Sequence, residues 1–205
     1  MRPTAGTASG VHPVPLGFGR VYVHQPKGFS YDGWVAGLDR GNSFVTTGPM
    51  LFVKMDGQDA GTTFKADAGR EFHVTGDALG AVPLERIEIV VNGEVTRTVK
   101  PANRKTAAGA YSTPLDEKIK FAESGWLIVR CYEDRPDKRV RFAHTSPFPV
   151  DVPGKPVRPR RAEIDFLLQR VTDEIARSEK VLPAAALEEY REALRIYQDI
   201  AKTAR

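Results

Sequence analysis

The stretch Glu85–Val99, ERIEIVVNGEVTRTV, decides the fold class. Two runs rich in β-branched residues flank Asn92-Gly93. A tight type I′ turn needs positive φ at both central positions, and Asn and Gly tolerate this best, so the stretch predicts a β-hairpin. On its C-terminal side, LDEKIKF (115–121) alternates Leu115, Ile119 and Phe121, with Glu117 out of phase. After Ser124-Gly125, WLIVRCY (126–132) is a nearly continuous apolar run of the kind expected of a central strand, and RVRFAH (139–144) follows a turn at Pro136-Asp137. Trp126, Ile128 and Phe142 are expected in the core. On the N-terminal side lie REFHVTG (70–76), MLFVKM (50–55) before the turn signal Asp56-Gly57, and SFVTTGP (43–49), which ends at Gly48-Pro49. About seven short strands with turn residues between them predict an antiparallel two-sheet β-sandwich of immunoglobulin-like character over residues 42–152. The chain is therefore expected to be mainly β.

The flanks read differently. Residues 1–41 are punctuated by Gly and Pro, and only RVYVH (20–24) has the alternation of a strand. YDGWVAGLDRG (31–41) predicts a short N-terminal helix, with Ser30 as N-cap, Asp32 in the first turn and Gly41 just past the end. Trp34 and Leu38, four apart, share one face of it and are expected to pack on the core. Residues 153–205 open with a stiff linker, PGKPVRP (153–159). A C-terminal α-helical hairpin follows. Its first helix, over about 161–180, carries Ile164, Leu167, Leu168, Val171 and Ile175. Its second starts at Pro183 and carries Leu187, Tyr190, Leu194, Tyr197 and Ala201. The short connection makes the two helices antiparallel neighbours, packed on each other and on the sandwich. The alternative use of the stripe is a coiled-coil seam in a homodimer.

The chain has 205 residues, 41% of them hydrophobic and 27% charged, enough to bury a core. No apolar run approaches the ~18 residues of a membrane span, and MRPTAGTASG lacks the apolar region of a secretion signal. The compartment stays open. The net charge of +4 is spread evenly, +3 up to Val150 and +1 beyond it, so no concentrated cationic patch points to nucleic acid. The basic stretch Lys155, Arg158, Arg160, Arg161 reads as a solvated linker. The single cysteine, Cys131, excludes an internal disulfide and reads as a buried packing thiol.

Candidate chemistry is sparse. The four histidines, His12, His24, His73 and His144, lie in no metal-ligand spacing. His73 reads as a solvated strand residue, and His144 as a partner for a turn carbonyl. No G-x-S-x-G elbow is present. On RVYVH, period-2 geometry puts Arg20, Tyr22 and His24 on one side. Such a face suits a polar or anionic substrate, and equally a solvated edge strand.

GFGRVYVH, YDGWVAGLDRGNSFVTTGPML, the turn-rich MDGQDAGTTF and RFAHTSPFPV together resemble the C-terminal portion of the CehA/McbA-type metal-dependent hydrolases of the PHP superfamily. The most specific element is W-x-x-G-L-x-x-G-x-x-F-V-T-x-G-P, formed by Trp34, Gly37, Leu38, Gly41, Phe44, Val45, Thr46, Gly48 and Pro49. The resemblance covers residues 1–152, and the hairpin more loosely. It implies a catalytic metal-binding barrel that precedes this region. It also implies a G-T-D-x-H-like metal motif near that barrel's end. Here Gly6-Thr7-Ala8-Ser9-Gly10 stands in its place, with Ala8 for the aspartate and Gly10 for the histidine, and neither can ligate a metal.

The expectation is thus an accessory module without catalytic residues or a cofactor of its own. It would pack on the catalytic domain of the same or a related chain and shape its cleft, with Arg20, Tyr22 and His24 facing that cleft. A divalent metal is expected only in that catalytic domain. The alternatives are a hydrolase of esters or amides whose metal is held by His12, His24 and His144, and a sandwich that binds carbohydrate or protein through exposed Trp and Tyr.

Overall fold

The computed structural model describes residues 2–8 and 14–205, which fall into two compact units, Met1–Pro156 and Val157–Arg205. In the first unit β1 (Arg20–Val23) and α1 (Tyr31–Arg40) precede β2 (Ser43–Thr46), β3 (Met50–Met55), β4 (Gln58–Asp59), β5 (Phe64–Lys65) and β6 (Arg70–Gly80). Then come β7 (Leu84–Val91), β8 (Glu94–Val99), β9 (Arg104–Lys105), β10 (Tyr111–Phe121), β11 (Gly125–Glu133), β12 (Phe142–Thr145) and β13 (Phe148–Asp151). The fold is mainly β, a sandwich-like pair of sheets with a short N-terminal helix and two C-terminal helices.

One sheet runs β4-β3-β6-β10-β9. The other is organised around β11. Along one edge β11 pairs with β7, which pairs in turn with β8. Its other edge is shared by β13, from Gly125 to Leu127, and β12, from Arg130 to Tyr132. β2 and then β1 extend the sheet beyond β12, while β5 joins β13 in parallel. The predicted hairpin turns where expected: Asn92 and Gly93 have φ of 50° and 87°, and Asp56 and Gly57 repeat the pattern at 47° and 75°.

The core between the sheets is apolar. Leu127, Val129 and Cys131 of β11, Ile87 and Ile89 of β7 and Phe148 of β13 meet Leu51 and Met55 of β3, Phe72 and Val74 of β6, and Leu115, Ile119 and Phe121 of β10. Phe72 lies edge-on to both Phe64 and Phe121, at centroid distances of 5.4 and 5.7 Å, the arrangement that aligns ring edge with ring face.

The core expectation holds for Ile128, which is buried, and is corrected for Trp126 and Phe142. Leu127, Val129 and Cys131 point into the inter-sheet core, so Trp126 and Ile128 take the opposite face of β11, and Phe142, opposite Tyr132, lies on that face too. Ile128 is still buried there, whereas Trp126 and Phe142 are half-buried. A continuous apolar run carries no information on which alternate residues face inward.

Helix α1 ends as its sequence directs. The Ser30 hydroxyl accepts from the Gly33 amide at 3.1 Å, and Gly41 takes the left-handed conformation at φ 81°. Trp34 and Leu38 are half-buried, and the fully buried residue of α1 is Gly37. β1 pairs with β2 through all four of its residues, so the N-terminal segment from Arg20 onward is continuous with the sandwich sheet.

In the second unit, α2 (Arg161–Ser178) and α3 (Ala184–Ala201) form the antiparallel hairpin. The Arg161 amide donates to the Arg205 carbonyl and the Arg205 amide to the Pro159 carbonyl, which ties the two open ends together. Arg160 and Arg161 pair with Glu163 and Asp165 on their own helix. Among the described residues no helix is long and apolar enough to cross a membrane.

Truncating Leu127 to Ala leaves a cavity between the sheets and should cost about 2–5 kcal/mol in urea unfolding. Val95→Ala, on the exposed face of β8, should change stability by less than about 0.5 kcal/mol. Equal effects of the two would refute the assignment of the core.

Candidate functional site

The W-x-x-G-L-x-x-G-x-x-F-V-T-x-G-P stretch folds into a brace. A Cβ on Gly37 would lie 2.4 Å from Cγ1 of Val23, so only glycine lets α1 sit this close to β1. After the left-handed turn at Gly41, the Asn42 amide bonds the Gly37 carbonyl and the Asn42 carbonyl accepts from the His24 amide. The Thr46 hydroxyl donates to the Pro49 carbonyl and accepts from the Gly48 amide, closing the turn into β3. The motif thus determines where β1 lies.

β1 lies at the sheet edge. Its outward residue Val23 meets α1, and its other side carries Tyr22, which stacks on its register partner Phe44 at 5.3 Å with the rings 12° apart. Here the β1–β2 edge comes against the β3–β4 edge of the other sheet. Phe44 meets Phe52 edge-on at 5.9 Å, and the Asn42 amide group donates to the Ala60 carbonyl at 2.9 Å. Between the two edges lies a cleft of about 510 Å³.

Apolar groups form part of its lining: Phe44, Leu51 and Val53 are buried, while Phe52 is 50% and Tyr22 37% exposed. Polar groups form the rest. His24 Nδ1 lies 2.8 Å from Asp59 Oδ2, and Lys54 Nζ lies 3.3 Å from Asp59 Oδ1. The carboxylate accepts, so Nδ1 carries the proton of this bond and Nε2 is the ring nitrogen left over. By register, Lys54 stands opposite Asp59 on one side and Thr75 on the other, and Phe52 opposite Asp77. The four polar residues Lys54, Asp59, Thr75 and Asp77 therefore share one face of the five-stranded sheet with Phe52. Asp77 also accepts from the Ser112 hydroxyl at 3.3 Å.

Of the three residues singled out by sequence on RVYVH, Tyr22 and His24 line the cleft. Arg20 is exposed one alternate position further back, opposite Thr46. The sequence reading did not find Lys54, Asp59, Phe52 or Asp77. Only the Asp56-Gly57 turn, which folds Asp59 back beside Lys54, hinted at this neighbourhood.

His12 lies outside the described residues, as do Ser9 and Gly10 of the Gly6–Gly10 stretch. Ala8 is described, and the neighbouring Thr7 holds Gly19 by accepting from its amide at 2.8 Å. His144 bonds the Thr145 carbonyl through Nδ1 at 2.6 Å, and His73 meets Asp116 on the surface. Among the described residues no group of three His, Cys, Asp or Glu side chains is placed to hold a metal ion.

Two further polar groups lie away from the cleft. Glu88, buried on β7, accepts from Arg86 at 2.7 Å and from Arg130 at 2.6 Å. Burial would raise its pKa, but the two guanidiniums together hold it below the usual carboxylate value. Burial pushes the Cys131 thiol up to about 12, so it stays protonated and inert at neutral pH.

The chain matches no protein-family model and none of the curated proteins.

Burial, with the nearby Arg130 charge, lowers the His144 pKa below the ordinary value of 6.5. The unfolded chain therefore binds this proton more readily than the folded one. Stability from this residue is full above about pH 6.5 and is lost as pH falls from there through the folded-state pKa. The melting temperature of His144→Gln should fall less than that of the parent between pH 7.5 and pH 5. Parallel curves for the two proteins would show that His144 is not the group responsible.

Proposed function

We propose that this chain is a non-catalytic accessory module that packs on a catalytic domain and shapes its substrate cleft, as the resemblance to the C-terminal portion of PHP-type metal-dependent hydrolases implies. On this reading the sandwich is of immunoglobulin-like kind, the divalent metal belongs to the catalytic domain, and the β1 edge with Arg20, Tyr22 and His24 faces the substrate.

One observation carries the reading: the serine hydroxyls and the Thr46 and Thr145 hydroxyls beside the cleft are spent on structure, and the one thiol lies away from it in the core. Ser43 and Ser146 bond each other, buried, at 3.0 Å. Thr46 is closed onto its own turn, and Thr145 accepts from the Val129 amide. Cys131 is buried and held protonated. The His24–Asp59 pair has the orienting half of a hydrolytic triad, in which a carboxylate holds the imidazole. Among the described residues no hydroxyl bonds its Nε2. The glycine-braced motif further supports an edge strand held as a recognition surface.

The test is metal analysis and hydrolysis on the purified chain. After incubation with zinc or manganese and desalting, it should carry well under one equivalent of metal and should not turn over p-nitrophenyl phosphate or p-nitrophenyl acetate above buffer. Stoichiometric, tightly held metal with turnover would replace this reading by that of a hydrolase in its own right.

A further inference from the structure

We infer that the cleft between β1 and the β3–β4 edge binds a neutral saccharide, with the exposed rings of Tyr22 and Phe52 as stacking surfaces and Asp59, Lys54 and Asp77 as hydroxyl partners. This rests on the proposed role of the β1 edge and names the substrate class it presents. The argument is one of matching chemistry. A sugar ring has a patch of C–H groups on its faces and hydroxyls, each donor and acceptor at once, around its rim. Its site therefore combines exposed aromatic surface with closely set donors and acceptors. The cleft has both: Phe52 and Tyr22 stand half and more than a third exposed, braced from behind by the buried Phe44.

The polar side disfavours anionic ligands. Lys54 and His24 are both engaged by Asp59, which leaves no surplus cation to draw a phosphate or carboxylate. Asp77 accepts one bond from the Ser112 hydroxyl through Oδ1, and a neutral sugar hydroxyl can donate to its other oxygen. Asp59 and Asp77 each still have lone pairs for hydroxyl donors, Lys54 still has N–H bonds to offer, and His24 has Nε2. The set holds donors and acceptors side by side, as a polyol needs. A cleft of about 510 Å³ falls in the usual range for small-ligand sites and is roomy enough for a disaccharide. It is also partly apolar and open at the sheet edge, which suits the end of a chain as well as a free sugar.

The experiment is an amide NMR titration of the full chain with cellobiose, maltose, lactose, xylobiose and chitobiose. Inorganic phosphate and spermidine serve as charged controls. At least one disaccharide should give saturable shifts concentrated at Tyr22, Phe52, Gly76 and Asp77, and the charged probes should give none there. Phe52→Ala and Asp77→Ala, both at exposed positions and checked for folding by circular dichroism, should each weaken binding about tenfold. The inference is overturned by a folded chain that shows no saturable disaccharide shift. Shifts confined to another surface, a response to the charged probes alone, or affinity unchanged in both variants would overturn it equally. These outcomes leave the metal and turnover measurements untouched, so failure here is distinct from failure of the accessory reading.

Discussion

Where β1 sits depends on the close approach of α1 at Gly37. A strand of four residues has little stability of its own, and the pairing of Arg20–Val23 with β2 holds only because the helix above it can approach to the distance a missing side chain allows. From that contact the neighbouring geometry follows in order. Val23 is occupied by the helix, so Tyr22 and His24 are turned to the other side. The left-handed residue Gly41 reverses the chain and delivers Asn42 to the His24 amide. Phe44 then falls beneath Tyr22. Any side chain at position 37 would force Val23 or α1 to shift at this contact.

The opposite wall is held by a second close approach. At Gly76, with φ of 147°, a Cβ would lie 1.9 Å from the Phe52 carbonyl oxygen. Glycine there lets β6 and β3 pair without displacing Phe52, and it sits between Thr75 and Asp77, both of which line the cleft. Both walls are therefore set by glycines in tight contact, while the aromatic groups between them stay partly wetted. Leaving Phe52 half-exposed forgoes apolar burial that stabilises a fold by roughly 25 cal/mol per Å², which the interior between the sheets takes up fully at Phe72 and Phe148.

What could be read from sequence was what is local. The Asn92-Gly93 and Asp56-Gly57 turns, the Ser30 and Gly41 ends of α1, and the two C-terminal helices each depend on a few neighbouring residues, and each is found where expected. The phase of β11 was not local: whether Trp126 or Leu127 faces inward is decided by the opposing sheet. Nor were β5 and β13, which pair with each other across more than 80 residues, while β4 and β9, two residues each, are too short to show an alternation of their own. The cleft was legible by half. Tyr22 and His24 share a strand face by simple alternation, but Asp59, the partner of His24, comes from 35 residues away.

On the proposed reading, that half-legible site has one strand serve both structure and recognition. On β1 and the residue after it the two faces are assigned different tasks: Val23 packs against α1, and Tyr22 and His24 are left to the cleft. His24 is held twice, through its amide by Asn42 and through its ring by Asp59, so its imidazole is oriented before any ligand arrives. Orientation in advance reduces the entropy lost on binding, which matters most for ligands that offer many weak hydrogen bonds and little charge. A pair of walls braced by glycine, with an oriented imidazole and a stacked ring on one side and Asp59 and Asp77 on the other, is the geometry on which the proposed recognition rests. Ser43, Ser146, Thr46, Thr145 and the Cys131 thiol have meanwhile been drawn into turns and core.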